Sequence, residues 1–187
     1  MEDFNVRPGM FPATFVAGAT GIWRVERIRA ITGESLPNAE RVDVVESLDE
    51  RRSGSWVLRG VTSSARYVER AEKTMLDAIS PPLGRTDATR AALIPIRKFA
   101  KWWSLPQDER RAVFEGTSHH ISSSMPYLPR VARRLYHSRD LGDPFDFLTW
   151  FEFAPEHSEA FDELLAALRA TEEWTYVERE VEVRLTR

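Results

Sequence analysis

The sequence predicts an α+β fold built on an antiparallel sheet, and three observations carry that reading. The second half runs strand, strand, helix, strand; the first half offers strands, a helix and more extended chain in a related order; and no Gly/Ser-rich linker divides them. Residues 13–31 and 42–48 are rich in Val, Ile, Thr, Phe and Trp and are interrupted by Gly18, Gly21 and the turn "GESLPN" at 33–38, which predicts short strands. "RRSGS" at 51–55 reads as a turn and "WVLRGVTSS" from Trp56 as a further strand. In "ARYVERAEKTMLDAI" (65–79), Val68, Ala71, Met75 and Ile79 recur at helical spacing, and Pro81 and Pro82 end the helix. Past Gly84, "TRAALIPIRKFAKWW" (89–103) reads as more extended chain. Residues 106–121 begin with Pro and acidic residues, which suit a helix N-terminus and its dipole. "PRVARRLYHS" and "FDFLTWFEF" then predict two strands, "EHSEAFDELLAALRATEE" an amphipathic helix, and "WTYVEREVEVRL" a closing strand.

Composition narrows the classes of function. At 187 residues the chain is expected to form one domain, and 42% hydrophobic content with six Trp and ten Phe favours a compact core over disorder. A net charge of −3 disfavours nucleic acid and anionic membrane surfaces as partners. The first 21 residues lack a basic start and are broken by Pro8 and Pro12, so no secretion signal is expected, and no apolar run approaches the ~18 residues of a membrane span. Without cysteine, disulfides, thiolate catalysis, iron–sulfur clusters and cysteine zinc sites are excluded, which is consistent with a cytoplasmic location. P-loop, GxGxxG, HExxH and GxSxG motifs are absent.

What remains is a small set of candidate residues. On a continuous helix, His120 lies seven residues after Val113 on the apolar stripe and points inward, while His119 follows Ala112 on a more polar arc. An inward histidine is either a core residue bonded to backbone or the single axial ligand of a haem iron. With strand period two, Val131, Arg133, Leu135 and His137 share a face; if that face is buried, Arg133 needs either a structural ion pair or an anionic ligand. Trp102 and Trp103 can pack a core or wall a flat cofactor, and Glu172 and Glu173 can be solvated or can bond the far nitrogen of a ligating histidine.

Together these residues resemble the chlorite dismutases, specifically their short-chain dimeric lineage. The likeness is carried by "LRGVTSSARYVERAEK" (58–73), "TRAALIPIRKFAKWW" (89–103), "QDERRAVFEGTSHHI" (107–121), "YLPRVARRLYHSRDLGDPFDFLTWFE" (127–152) and "LRATEEWTYVEREVEVRL" (168–185). The resemblance implies a dimeric α+β barrel of ferredoxin-like halves, with a trimmed half over 1–88 and a haem-binding half over 89–187. It implies haem b held by His120, with Glu173 on the far nitrogen of that histidine (Glu172 if the preceding helix is misaligned) and Lys98 in the same network. Trp102 would pack against the haem, and Trp103 would lie at its periphery or at the subunit interface. Arg133 would bind chlorite as it is decomposed to chloride and dioxygen by oxygen-atom transfer to iron and O–O bond formation, in a homodimer. A related coproheme decarboxylase, which normally lacks the distal arginine, and a non-enzymatic haem-binding barrel are the alternatives.

Overall fold

In the computed structural model residues 11–62 and 69–187 are described. The expectations for the first ten residues, for the strand end at 63–64 and for the helix start at 65, Val68 included, lie outside them. Eight strands close into one antiparallel barrel: β1 (Pro12–Gly18), β2 (Trp23–Thr32), β3 (Arg41–Val45), β4 (Trp56–Val61), β5 (Arg90–Lys98), β6 (Val131–His137), β7 (Phe147–Phe153) and β8 (Val177–Thr186). Around the barrel the order is β1, β3, β2, β8, β5, β7, β6, β4. Strands β4-β1-β3-β2 and β8-β5-β7-β6 therefore take the same fourth, first, third, second arrangement. The second set places helices in its crossovers, whereas the first connects β1 to β2 in a few residues. That short hop is possible because β2 overlaps β3 only at Trp23 and Arg24. Gly21 is required there: with φ at +141° and a Cβ that would sit 2.5 Å from the Val42 carbonyl carbon, no other residue fits.

Alternation along the strands sorts side chains into two cores. Phe15, Trp23, Leu58, Leu93, Tyr136, Leu148, Trp150, Val181 and Val183 fill the barrel. Ile94, Ile96, Phe151 and Phe153 point outward, where helix α5 (Ser158–Arg169) covers them with Phe161, Leu164, Leu165 and Leu168. That i, i+3, i+4, i+7 stripe stabilises by roughly 1.5–3 kcal/mol per fully buried side chain. Helix α1 (Arg70–Ile79) adds Leu76 to Ile121 and Leu128, with Ile79 of the expected stripe packed beside them; Met75, also expected there, is exposed and Leu76 takes its place.

Among the described residues β4 meets β6 through Val61, paired with His137. Side chains supplement it: the Ser138 hydroxyl donates to the Arg59 carbonyl, and Asp143 accepts from the Arg59 N–H and guanidinium. Pro95 is unusual in an interior strand because it lacks a donor. The ladder to β8 skips Ile94 and Pro95, while β7 keeps its register across them.

Three expected elements are interrupted. Residues 89–103 are strand only to Lys98, and the tryptophans sit on the short helix α2 (Ala100–Ser104). The helix expected over 106–121 is split into α3 (Gln107–Arg111), a π-helical stretch Ala112–Thr117, and α4 (His120–Ser124). His119 makes the break in the left-handed region, φ 51° and ψ 38°. The helix expected over 156–173 ends at Arg169 because Thr171 is extended and turns its hydroxyl onto the Leu168 carbonyl; a 3-10 turn, Glu172–Tyr176, follows. No helix among the described residues is long and apolar enough to cross a membrane.

Candidate functional site

Between the outward face of β5, β7 and β6 and the helices α1, α4 and α5 lies a mostly apolar cavity of 550 Å³. That volume suits a cofactor-sized ligand, for which pockets run from about 300 to 1,000 Å³. His120, Lys98, Glu173, Trp102 and Arg133 all line it.

The left-handed turn at His119 mounts His120. It ends the π-helical stretch and starts α4 afresh, and the Glu115 carboxylate accepts the free N–H groups of Ile121 (2.6 Å) and Ser122 (3.2 Å) at the new N-terminus. Phe114 stacks on the imidazole with ring centroids 4.4 Å apart and planes 23° apart. Six residues of regular α-helix would leave Phe114 and His120 about 120° apart around the axis, so the rings meet only because the chain between them is rewound and then broken at His119.

The imidazole Nδ1–H donates to Glu173 Oε2 at 2.7 Å, and Lys98 Nζ donates to Oε1 of the same carboxylate at 2.8 Å. The Glu173 N–H is bound by the Ser118 hydroxyl oxygen at 2.9 Å, which fixes the 3-10 turn under His120. Burial by itself would raise the Glu173 carboxyl, but the charges and hydrogen bonds of His120 and Lys98 outweigh it and hold the pKa at about 2. Lys98 Nζ lies 4.7 Å from the Trp102 ring centroid and 5.5 Å from that of Trp174, so two indoles and a carboxylate share its charge.

Arg133 is on the cavity side of β6 with Leu135 and His137, paired across to Phe151, Thr149 and Phe147 of β7. On that face Val131 is fully buried while Leu135 is 39% exposed, so the burial expected around Arg133 holds on one side of it only; Ala132 and Tyr136 pack on the opposite face. Arg133 remains enclosed. Desolvation lowers the pKa of its guanidinium, and among the described residues no carboxylate lies within ion-pair distance of it. Trp103 does not line the cavity: its indole N–H donates to Asp146 at 3.3 Å, its ring stacks on Phe147, and Arg139 covers it at 4.0 Å. Asp146 is raised by burial, against the opposing pull of the Lys98 N–H, Trp103 and Arg139.

The structure therefore brings His120, Glu173, Lys98 and Trp102 together, with Arg133 in the same cavity and Trp103 outside it. Glu173, rather than Glu172, meets His120, and it does so from the 3-10 turn beyond α5, which stops at Arg169. Sequence reasoning missed Phe114, Glu115, Ser118 and Trp174. Only Trp174 carried a signal, as the neighbour of Glu173 in "TEEW".

The donor set can be tested against haem. With Nδ1 engaged by Glu173, the cavity-lining imidazole has Nε2 left to offer, and its hydrogen-bonded far nitrogen is the usual support of a metal-ligating histidine. Among the described residues no three metal-ligating side chains cluster, so an iron held here would take its remaining ligands from a macrocycle. These residues fit that group.

Comparison with known proteins bears on the same point. A family model described as chlorite dismutase matches residues 34–187. A curated chlorite dismutase of Ideonella dechloratans is 34% identical over 121 residues, covering 64% of this chain but 40% of that relative, so the match spans less than half of its length. The crystal structure of dimeric chlorite dismutases from Nitrobacter winogradskyi superposes with a TM-score of 0.89 at 58% identity, over 94% of this chain and 99% of that one. A mutant chlorite dismutase from Candidatus Nitrospira defluvii, 21% identical, has a TM-score of 0.67 over 95% and 92% of the two chains and shows the shared fold. The chain belongs to the chlorite dismutase family.

Proposed function

We propose that the chain decomposes chlorite to chloride and dioxygen at a haem b held by His120, and that it works as a homodimer of single-domain subunits. The observation that carries the reading is Arg133, an enclosed cation with no acidic partner among the described residues, lining the cavity shared by His120, Glu173 and Lys98. A desolvated guanidinium binds a small oxyanion strongly and can hold it in a fixed orientation. Bound haem supplies the redox centre at which both oxygens of one chlorite end in one dioxygen. The net reaction takes up and releases no proton, so a fixed cation can serve without an acid or base beside it.

In this reading His120 would hold the haem iron through Nε2, and Glu173 would give the imidazole anionic character while Lys98 balances the buried carboxylate. Trp102 would help to hold the cofactor, and Trp103, outside the cavity, would not touch it. The common strand order of the two four-strand sets supports reading the chain as two ferredoxin-like halves meeting near residue 89. The family relationship, and the dimeric state named for the Nitrobacter winogradskyi enzymes, support the substrate and the assembly.

The test is chlorite added to haem-loaded protein at an oxygen electrode. One dioxygen per chlorite is expected, and Arg133→Ala should retain haem yet release less oxygen and inactivate sooner. No oxygen from the wild type would overturn the activity; undiminished release by the variant would overturn the role of Arg133.

A further inference from the structure

Glu180 and Glu182 are fully buried on β8, outside the group just described. Arg169, at the end of α5, donates Nε (2.9 Å) and one terminal nitrogen (2.6 Å) to Glu180 Oε1, and Arg27, Arg169 and Arg184 meet Glu182. Glu182 is thus surrounded by arginines. The second oxygen of Glu180 instead accepts the indole N–H of Trp174 at 2.7 Å. Trp174 follows Glu173 in the 3-10 turn, lines the cavity, and lies 22° from parallel with the His120 ring at 6.3 Å. Its π face is also 5.5 Å from the Lys98 ammonium.

One indole therefore touches a buried ion pair through its N–H and the ligand group through its face. A hydrogen bond to an anionic oxygen enriches the ring's π density, which strengthens its hold on a cation, and a buried carboxylate is a stiff anchor because it cannot move without losing Arg169. We propose that Trp174, tied down by Glu180, is a positioning residue for His120, Glu173 and Lys98: it holds Lys98 and the imidazole in the places from which both reach Glu173. This deepens, and for its consequence at the iron rests on, the reading of His120 as the cofactor's ligand.

The experiment follows the His120 Nδ1 proton by NMR in the full-length chain, before and after haem is added. Trp174→Phe keeps a ring and removes the anchor; Glu180→Leu removes the anchor and keeps the indole; the double variant combines them. Each single variant should shift the Nδ1 proton upfield and speed its exchange with solvent by about tenfold or more, the scale of one lost hydrogen bond to a charged group, and the double variant should do no more than Trp174→Phe alone, because Glu180 acts through the indole. Folding is checked by circular dichroism, and Trp174→Phe alone tests the proposal where Glu180→Leu does not fold. An unmoved Nδ1 proton in Trp174→Phe, or a double variant whose effect is the sum of the two single ones, overturns the proposal. If these shifts occur in a protein whose wild type yields no oxygen from chlorite, the positioning role stands and the activity reading falls.

Discussion

Substitution at His119 separates backbone geometry from side-chain chemistry beside the proposed ligand. The residue is exposed, its φ is 51°, and only its backbone is used: its N–H donates to the Glu115 carbonyl, and its carbonyl receives the Ser123 N–H and the Ser122 hydroxyl. A non-glycine residue in the left-handed region costs roughly 1–2 kcal/mol. Glycine avoids that cost but gives back roughly 0.5–1 kcal/mol through its looser unfolded chain. His119→Gly should therefore stabilise by about 0.5–1 kcal/mol. His119→Val places a β-branched residue where it is a steric outlier and should destabilise by about 1 kcal/mol or more, with His119→Ala between the two. The Gly and Val variants should differ by about 2 kcal/mol, or roughly 4–8 °C in melting temperature for a chain of this size. Urea denaturation of the three variants gives the difference, and haem titration shows whether a strained mount also loosens His120. If Val and Gly are equally stable, the left-handed turn is not the feature that aims His120.

Two further predictions follow from charge and packing. Glu173 is held at about 2 against an ordinary 4.5, so its contribution, on the order of 3 kcal/mol, is fully present above about pH 4.5 and is lost as pH falls toward 2. Acid unfolding of Glu173→Gln should show a correspondingly flatter slope in that window, and an unchanged slope would mean the His120 and Lys98 contacts do not set its titration. Gly60→Ala puts a Cβ 2.6 Å from the Cβ of Tyr136 where β4 meets β6 and should cost about 1–3 kcal/mol by thermal melting; wild-type stability would show that the two strands can spread without loss.

The regular parts of this molecule were legible because local periodicity and global packing agree in them. The α5 stripe of Phe161, Leu164, Leu165 and Leu168 and the alternation in β7 and β8 are of that kind. The site was legible in identity but not in warrant. His120 was chosen by helical phase, yet the helix is rewound by π turns and broken at His119 before reaching it. Glu173 was chosen from a helix that ends four residues earlier. Resemblance points to two residues that the structure places in contact because a family motif records the result of irregular backbone, whereas period counting assumes that the backbone is regular. Phe114, Glu115 and Ser118 depend wholly on that irregularity and left no trace in spacing.

The charges around the cavity are arranged unequally, and the inequality has a cost that can be measured. On one side Glu173 neutralises Lys98 and supports His120, and the group is satisfied without any added ligand. Arg133 has no such partner among the described residues, and its enclosure works against its own charge. A half-buried cation with no acidic partner among the described residues should weaken the fold, a penalty lessened by the solvent it reaches and recovered when an anion binds the folded state. Arg133→Met keeps length and removes the charge, so it should raise stability without chlorite or a comparable anion and abolish the extra stabilisation that such an anion confers on the wild type. Denaturation midpoints with and without nitrite, an unreactive oxyanion of similar shape, would measure both effects. If Arg133→Met is less stable than the wild type in the absence of anion, the guanidinium is a structural member of the fold, and its exposure to the cavity would not be evidence for oxyanion binding.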